Sequence, residues 1–137
     1  MTELEKIAPK DIETRSFEII TKELGDKKLI PGTELIVKRC IHTSADFDYA
    51  DNLCFSQGAV EKALKAIREG ACIVTDTQMA KAGINKRALQ KYGGQVYCFM
   101  SDEDVAKEAK ELGCTRAAVS MDKAAKLQKP VIFAIGN

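Results

Sequence analysis

The sequence lacks the features that mark several large classes of protein. Its 21 basic and 20 acidic residues leave a net charge of +1, so charge does not favour binding to nucleic acid or to an anionic membrane. No apolar run approaches the ~20 residues that a membrane-spanning helix needs. Neither a GxGxxG motif nor a Walker lysine loop is present, so the sequence does not predict a bound nucleotide cofactor.

Metal-binding and disulfide patterns are missing as well. The five cysteines, at positions 40, 54, 72, 98 and 114, are separated by long and irregular gaps, and no CxxC pair occurs. With a single histidine in the chain, few ligands remain for a zinc site. The N-terminus lacks the basic and then apolar layout of a signal peptide. We therefore expect a cytoplasmic protein that binds no metal and keeps its cysteines reduced.

Short apolar runs alternate with amphipathic segments along the chain. The runs at 71–75, 95–100 and 131–135 predict strands, and the run at 53–55 predicts a shorter strand or extended segment. Residues 46–52 are polar and predict a loop. The predicted helices are 11–24, 33–42, Ser56 to Gly70, 79–91 with a break at Gly83, Ser101 to Gly113, and 116–127. This alternation indicates an α/β fold, a three-layer α/β/α sandwich around a mostly parallel sheet.

The one histidine, His42, lies in the most distinctive stretch of the sequence, which runs from Arg39 to Asp48. Histidine is the side chain best suited to giving or taking a proton near neutral pH. From its position alone, His42 is either an ordinary residue at a helix end or the acid or base of an active site. Thr43 and Ser44 could orient the imidazole, and Asp46 could support its cationic form.

Several segments resemble the precorrin-8X methylmutases, also called precorrin isomerases. The resemblance is greatest to the branch that acts on cobalt-precorrin-8. The two longest matching strings surround His42 and Asn85, and the segments occur in family order over essentially the whole chain. The matching segments are 12–13, 16–20, 39–48, 55–56, 75–77, 79–80, 83–87, 101–102, 113, 115–116 and 136–137.

The sequence departs from the family pattern in two ways. The family continues for about a further third of its length after the Gly136-Asn137 pair, so residues 1–137 are expected to form a single methylmutase-like domain that lacks that C-terminal third. The family's serine after Thr-Arg is Ala117 here. The shortened length affects whether the pocket is complete and whether a dimer forms. The change to Ala117 affects the prediction less.

The resemblance implies an isomerase of cobalamin biosynthesis. A methyl group would move between adjacent carbons of ring C of the macrocycle, giving hydrogenobyrinic acid or its cobalt-containing counterpart, cobyrinic acid. No external cofactor would take part, and any cobalt would belong to the substrate. His42 would assist by protonating the macrocycle, and the enzyme would act as a homodimer.

The implied substrate, a tetrapyrrole, is a large polycarboxylate with an apolar disc. It requires cations around the rim and apolar side chains against the face. The rim candidates are arginines and a lysine, Met79 is the face candidate, and hydroxyl and acidic residues at matching positions complete the predicted set. That set is Arg15, Ser16, Arg39, Thr43, Asp76, Thr77, Met79, Lys86, Arg87, Thr115 and Arg116.

Simpler roles remain open for these residues. Asp76 follows a predicted strand and could cap the next helix, Met79 could belong to the core, and the basic residues could lie on solvated helix faces. At the level of the whole chain, two alternatives compete with the enzyme: a non-catalytic corrinoid-binding protein and an inactive incomplete domain.

Overall fold

The computed structural model describes residues 7–136 of the chain. The N-terminal residues inspected for a signal peptide, and Asn137 of the Gly-Asn pair, lie outside the described residues. The chain divides into two units, with the boundary between Val60 and Glu61. Within the described range no helix is long and apolar enough to cross a membrane.

The N-terminal unit is helical. A 3-10 turn at Pro9–Asp11 leads into α1 (Ile12–Leu24), which is followed by α2 (Glu34–Ser44) and the single turn α3 (Tyr49–Asn52). Its core consists of three buried side chains, and six half-buried apolar side chains pack around them. The buried residues are Ile20, Val37 and Ile41; the surrounding ones are Leu24, Leu29, Phe47, Ala50, Leu53 and Phe55.

Two predictions in this unit are corrected in part. Of the two alternatives for residues 53–55, the strand is wrong, because Leu53 and Phe55 pack against the core around Ile41 instead of pairing with another strand. The extended alternative agrees with the extended backbone of Leu53. Residues 46–52 are not entirely loop, because 49–52 form the short helix α3. Ala50 on α3 packs on the same core, so its burial favours a helical turn within a polar segment.

The C-terminal unit carries the sheet. Helix α4 (Ala59–Arg68) begins just before the boundary and leads to β1 (Cys72–Thr75). The remaining elements are α5 (Gln78–Gly83), α6 (Lys86–Gln90), β2 (Val96–Tyr97), α7 (Glu103–Leu112), α8 (Arg116–Ala125) and β3 (Val131–Ala134). The strands lie in the order β2-β1-β3 and all pair in parallel. The predicted α/β class with a parallel sheet is confirmed.

One face of the sheet packs against α7 and α8. Val74 lies opposite Tyr97 of β2 and Phe133 of β3, so these side chains share a face. Val74 and Phe99 join Val105 and Ala109 of α7, and Val119 and Ala124 of α8, in the buried core. The apolar periodicity of both helices is thus explained by this packing.

The boundaries differ from the sequence prediction at two elements. Strand β2 pairs through Val96 and Tyr97 alone, because Cys98 and Phe99 leave the ladder and are buried. The N-cap of α7 is Asp102 and not Ser101, and its carboxylate binds Lys123 instead of a backbone N–H. The predicted break at Gly83 is confirmed, because α5 ends there and α6 begins at Lys86.

Two glycines of this unit make a matched test of packing. A Cβ on Gly94 would collide with the Ala71 carbonyl oxygen and lie 2.8 Å from Cγ of Leu89. A Cβ on Gly83 would meet nothing within 4 Å. We expect Gly94→Ala to lower the free energy of unfolding by about 1–3 kcal/mol, because the backbone at the Ala71 carbonyl must move to make room for the new Cβ. Gly83→Ala should leave it unchanged or raise it by about 0.5–1 kcal/mol. Urea unfolding measures both, and equal stability of the two variants would contradict the packing at Gly94.

Candidate active site

His42 lies in the last turn of α2, which ends at Ser44. The next residue, Ala45, is left-handed with φ 58°, and its N–H donates to the Ile41 carbonyl to close the helix. The carboxyl end of a helix carries partial negative charge, which favours a cation there. The imidazole is half-buried, so it keeps access to a ligand.

The direct partner of the imidazole is Ser16 on α1. Its Oγ lies 2.7 Å from Nδ1 of His42, a short distance for a side-chain hydrogen bond. The hydroxyl can donate to an unprotonated Nδ1 or accept from a protonated one, so the contact survives a change of tautomer. It leaves Nε2 as the nitrogen that can exchange a proton with a ligand.

A second set of side chains joins α1 to α2 beside this bond. Arg39 donates from Nη1 and Nη2 to the two carboxylate oxygens of Glu13, at 2.8 and 2.7 Å. Its guanidinium lies 5.2 Å from the ring centroid of Phe17. Phe17 in turn meets His42 edge to face, with 5.9 Å between ring centroids. The ion pair, the phenyl ring and the imidazole therefore form one continuous contact.

The charges of this pair are mutually stabilised. The hydrogen bonds from Arg39 hold the pKa of Glu13 below its usual value, and the charges of Arg39 and His42 add smaller effects of the same sign. The same hydrogen bonds raise the pKa of Arg39. The charge of His42 is thus the smallest of the effects on the pKa of Glu13, and the hydrogen bonds from Arg39 are the largest.

The neighbours of His42 in the sequence face elsewhere. The hydroxyls of Thr43 and Ser44 donate to the carbonyls of Arg39 and Cys40, at 2.9 and 2.8 Å. The carboxylate of Asp46 accepts the N–H of Asp48 at 2.9 Å, in a local turn. The proposal that Thr43 and Ser44 orient the imidazole is therefore corrected, since Ser16 contacts it instead.

A cavity of about 330 Å³ opens beside the imidazole within the N-terminal unit. Isoleucines, among them Ile12, Ile19 and Ile41, form the largest part of its walls, and its polar groups are those of Arg15, Ser16, Glu23 and His42. Arg15 forms an ion pair with Glu18 at 3.2 Å. A largely apolar cavity with these groups can hold an apolar ligand whose acidic groups approach Arg15.

Polar groups of the C-terminal unit gather at the carboxyl ends of its strands, where parallel sheets bind ligands. The carboxylate of Asp76, directly after β1, accepts the N–H of Gly136 after β3 at 2.8 Å. Thr77 caps α5 by accepting the N–H of Ala80 at 3.1 Å. Gln78 donates to Ser101 at 3.3 Å, so the polar ends of three chain segments meet at this edge.

The remaining predicted residues of this unit lie on the surface or at helix ends. Met79 is 85% exposed, so the core interpretation of this residue is wrong. Lys86 donates to the Lys81 and Ala82 carbonyls near the end of α5, at 2.7 and 3.4 Å. Thr115 caps α8 by accepting the N–H of Ala118. Arg87 and Arg116 are exposed.

The structure thus brings the predicted residues together in two groups, one in each unit. Arg15, Ser16, Arg39 and His42 share the α1–α2 pair, whereas Asp76 and Thr77 share the sheet edge. Sequence reasoning missed Glu13 and Phe17 as functional residues. The signal was present, because positions 13, 16, 17 and 20 lie on one helix face, as do 39 and 42. Across the described range, no group of three or more His, Cys, Asp or Glu side chains is placed to hold a metal ion.

Comparison with known proteins identifies the class. The sequence model of the precorrin-8X methylmutase family matches residues 11–137, so the chain belongs to that family. Cobalt-precorrin-8 methylmutase of Priestia megaterium is 45% identical over 131 residues, which are 96% of this chain and 58% of that protein. The Salmonella typhimurium protein of the same name is 42% identical, over 94% of this chain and 64% of its own.

A solved structure agrees with these sequence matches. The precorrin-8x methyl mutase from Thermus thermophilus superposes with a TM-score of 0.80 at 35% identity, covering 93% of this chain and 62% of that one. The chain therefore spans about three fifths of the length of the relatives that it matches.

The Glu13–Arg39 pair predicts a pH dependence of stability. Because the folded state lowers the pKa of Glu13, its contribution is present above the unfolded pKa and is lost as the pH falls through the folded one. Wild type should therefore melt slightly above Glu13→Gln at pH 7, by a small margin because solvent screens this exposed pair. The difference should shrink below about pH 4. Thermal melts of both proteins at several pH values measure it, and a difference that is independent of pH would contradict the pairing.

Proposed function

We propose that this chain carries out the methyl transfer of its family, an isomerisation that moves a methyl group between adjacent carbons of ring C of cobalt-precorrin-8. The observation that supports it most directly is His42, held by Ser16 at the mouth of an apolar cavity that also contains Arg15. A binding protein would need the apolar cavity and the cation, but not a positioned proton donor.

The methyl shift requires one acid, His42, which donates a proton and later takes it back. The bond between the methyl group and one ring carbon breaks while a bond to the neighbouring carbon forms. Protonation of the macrocycle by His42 would draw electron density from the conjugated system and ease this shift. Because an isomerisation consumes no net proton, the proton returns to His42 when the product forms. Nε2 is the available atom, since Nδ1 contacts Ser16.

The substrate's carboxylates would be bound by Arg15 and Arg116 among the predicted basic residues. Arg15 lines the cavity beside His42, and Arg116 begins α8. Arginine suits this role because its planar group can bind a carboxylate through two hydrogen bonds. Arg116 lies where the helix dipole is unfavourable for a cation, so a bound carboxylate would supply the compensating charge.

Three further properties complete the proposal. The reaction needs no external cofactor, and cobalt enters as part of the substrate. The protein acts as a homodimer in the cytoplasm. The reaction's independence of cofactors and the homodimer are supported by the family resemblance, and the location by the sequence features given above.

The function is tested most simply by turnover. Purified protein incubated with cobalt-precorrin-8 should change the absorbance spectrum to that of cobyrinic acid.

His42→Ala should fold, since a half-buried residue at a helix end contributes little to the core, and should still bind the macrocycle. Its turnover should fall by about 10²–10⁴-fold, the usual worth of a positioned acid. Circular dichroism checks the fold. Wild-type turnover in His42→Ala would contradict the proton-donor role, and binding without turnover by wild type would favour a binding protein.

The basic residues predict a different kinetic signature. Arg116→Ala and Arg15→Ala should each weaken product binding by roughly ten- to a hundred-fold, because each removes a charge-assisted contact to a carboxylate. The rate on bound substrate should change less. Lys65→Ala is the control, since Lys65 is an exposed lysine of α4 that pairs with Glu69, the residue after the helix. Spectroscopic titration with cobyrinic acid measures the affinities, and unchanged affinity in both arginine variants would show that the rim residues are misassigned.

A further inference from the structure

Glu13 and Arg39 have an arrangement that general stability does not explain. Both side chains are about half exposed, at 55% and 53%. Exposed ion pairs contribute little to the free energy of folding. Yet this pair is bidentate, with both terminal nitrogens of the guanidinium on the two carboxylate oxygens. A two-point contact defines the relative orientation of its partners in a way that a single bond does not.

The position of the pair connects it to His42 through packed side chains. Arg39 and His42 are three residues apart on α2, and Glu13 and Ser16 are three residues apart on α1. The ion pair and the Ser16–His42 bond therefore join the same two helices one turn apart. Phe17 fills the space between them, 5.2 Å from the guanidinium and 5.9 Å from the imidazole ring.

We propose that Glu13 and Arg39 are a positioning pair, which fixes the separation and rotation of α1 and α2 where Ser16 meets His42. Its catalytic consequence rests on the function proposed above, whereas its geometric consequence does not. Arg39 would then act on His42 through Phe17, in contrast to the direct substrate contact that its position in the sequence suggested. Glu13 becomes a functional residue that touches no substrate.

The inference predicts a kinetic signature opposite to that of the rim residues. Small displacements of a catalytic group reduce the chemical step strongly, and about 1 Å can cost roughly a hundred-fold. Glu13→Gln and Arg39→Met should therefore lower kcat by about 10- to 100-fold. The KM should stay within about three-fold, because the carboxylate contacts remain. A direct substrate contact by Arg39 would instead raise KM or weaken product binding.

A spectroscopic readout tests the geometry without activity. Because His42 is the only histidine in the chain, its imidazole ¹⁵N signals need no assignment. Glu13→Gln and Arg39→Met should both shift these signals in the ligand-free protein. The double variant Glu13→Arg/Arg39→Glu restores the pair with its charges exchanged, and it should return the signals towards wild type and recover most of kcat. The control is Glu69→Gln, which breaks the exposed pair with Lys65 at the end of α4 and should change neither readout.

The outcomes separate this inference from the proposed function. Imidazole signals that stay at their wild-type positions in both single variants would overturn the positioning role. So would an exchanged double variant no better than the single ones. If the signals respond as expected but wild type converts no cobalt-precorrin-8, the positioning pair stands and the proposed function fails. Should either single variant unfold, recovery of fold and signals in the exchanged variant decides the matter.

Discussion

The hydrogen bond between Ser16 and His42 is the contact on which the interpretation of the N-terminal unit depends. It joins α1 to α2 at 2.7 Å, beside the buried cluster of Ile20, Val37 and Ile41. The apolar cluster brings the helices together without specifying their orientation, because hydrophobic packing is not directional. Directional contacts must therefore set where the imidazole points. Ser16 supplies one, and the bidentate pair of Glu13 with Arg39 supplies another.

In the C-terminal unit, the positions of the polar groups at the strand ends depend on the packing of the sheet. Val74 and Phe99 pack against α7 and α8, which places β1 in the middle of a parallel sheet. Parallel strands deliver their carboxyl ends to one edge, where Asp76 accepts the N–H of Gly136. Hence a backbone hydrogen bond and a helix cap help to order the polar groups of this edge, whereas an ion pair lies beside His42.

The sequence predicted those features whose signal is local. Strands β1 and β3 were evident because both are continuous apolar runs, as is typical of parallel strands, although only β1 is mostly buried. Gly83 marked a true break between helices. The edge strand β2 was overestimated, since Cys98 and Phe99 are apolar for core packing and not for pairing. The apolar run at 53–55 likewise packs against a core and pairs with no strand, so only its extended alternative holds. Periodicity reports burial, and only tertiary structure decides what a buried segment pairs with.

The same distinction applies to the candidate site. His42 was identifiable by residue type, but its partners were sought among its neighbours Thr43 and Ser44. Adjacent residues on a helix point in different directions, so the imidazole's partner had to come from another element. Ser16 and Glu13 each lie 26 residues from the α2 side chain that they contact. Helical spacing puts these residues on one face of each helix, but it does not show that the two faces meet, although the family resemblance did include both positions.

The central claim, that Ser16 of α1 orients the catalytic imidazole, is tested most directly by the ¹⁵N spectrum of His42 in three single variants. We expect Ser16→Ala to shift the Nδ1 signal clearly, because it removes the hydroxyl 2.7 Å away. Thr43→Ala and Ser44→Ala should leave it near its wild-type position, because their hydroxyls bind helix carbonyls. An Nδ1 signal that ignores Ser16→Ala but responds to Thr43→Ala or Ser44→Ala would contradict the account.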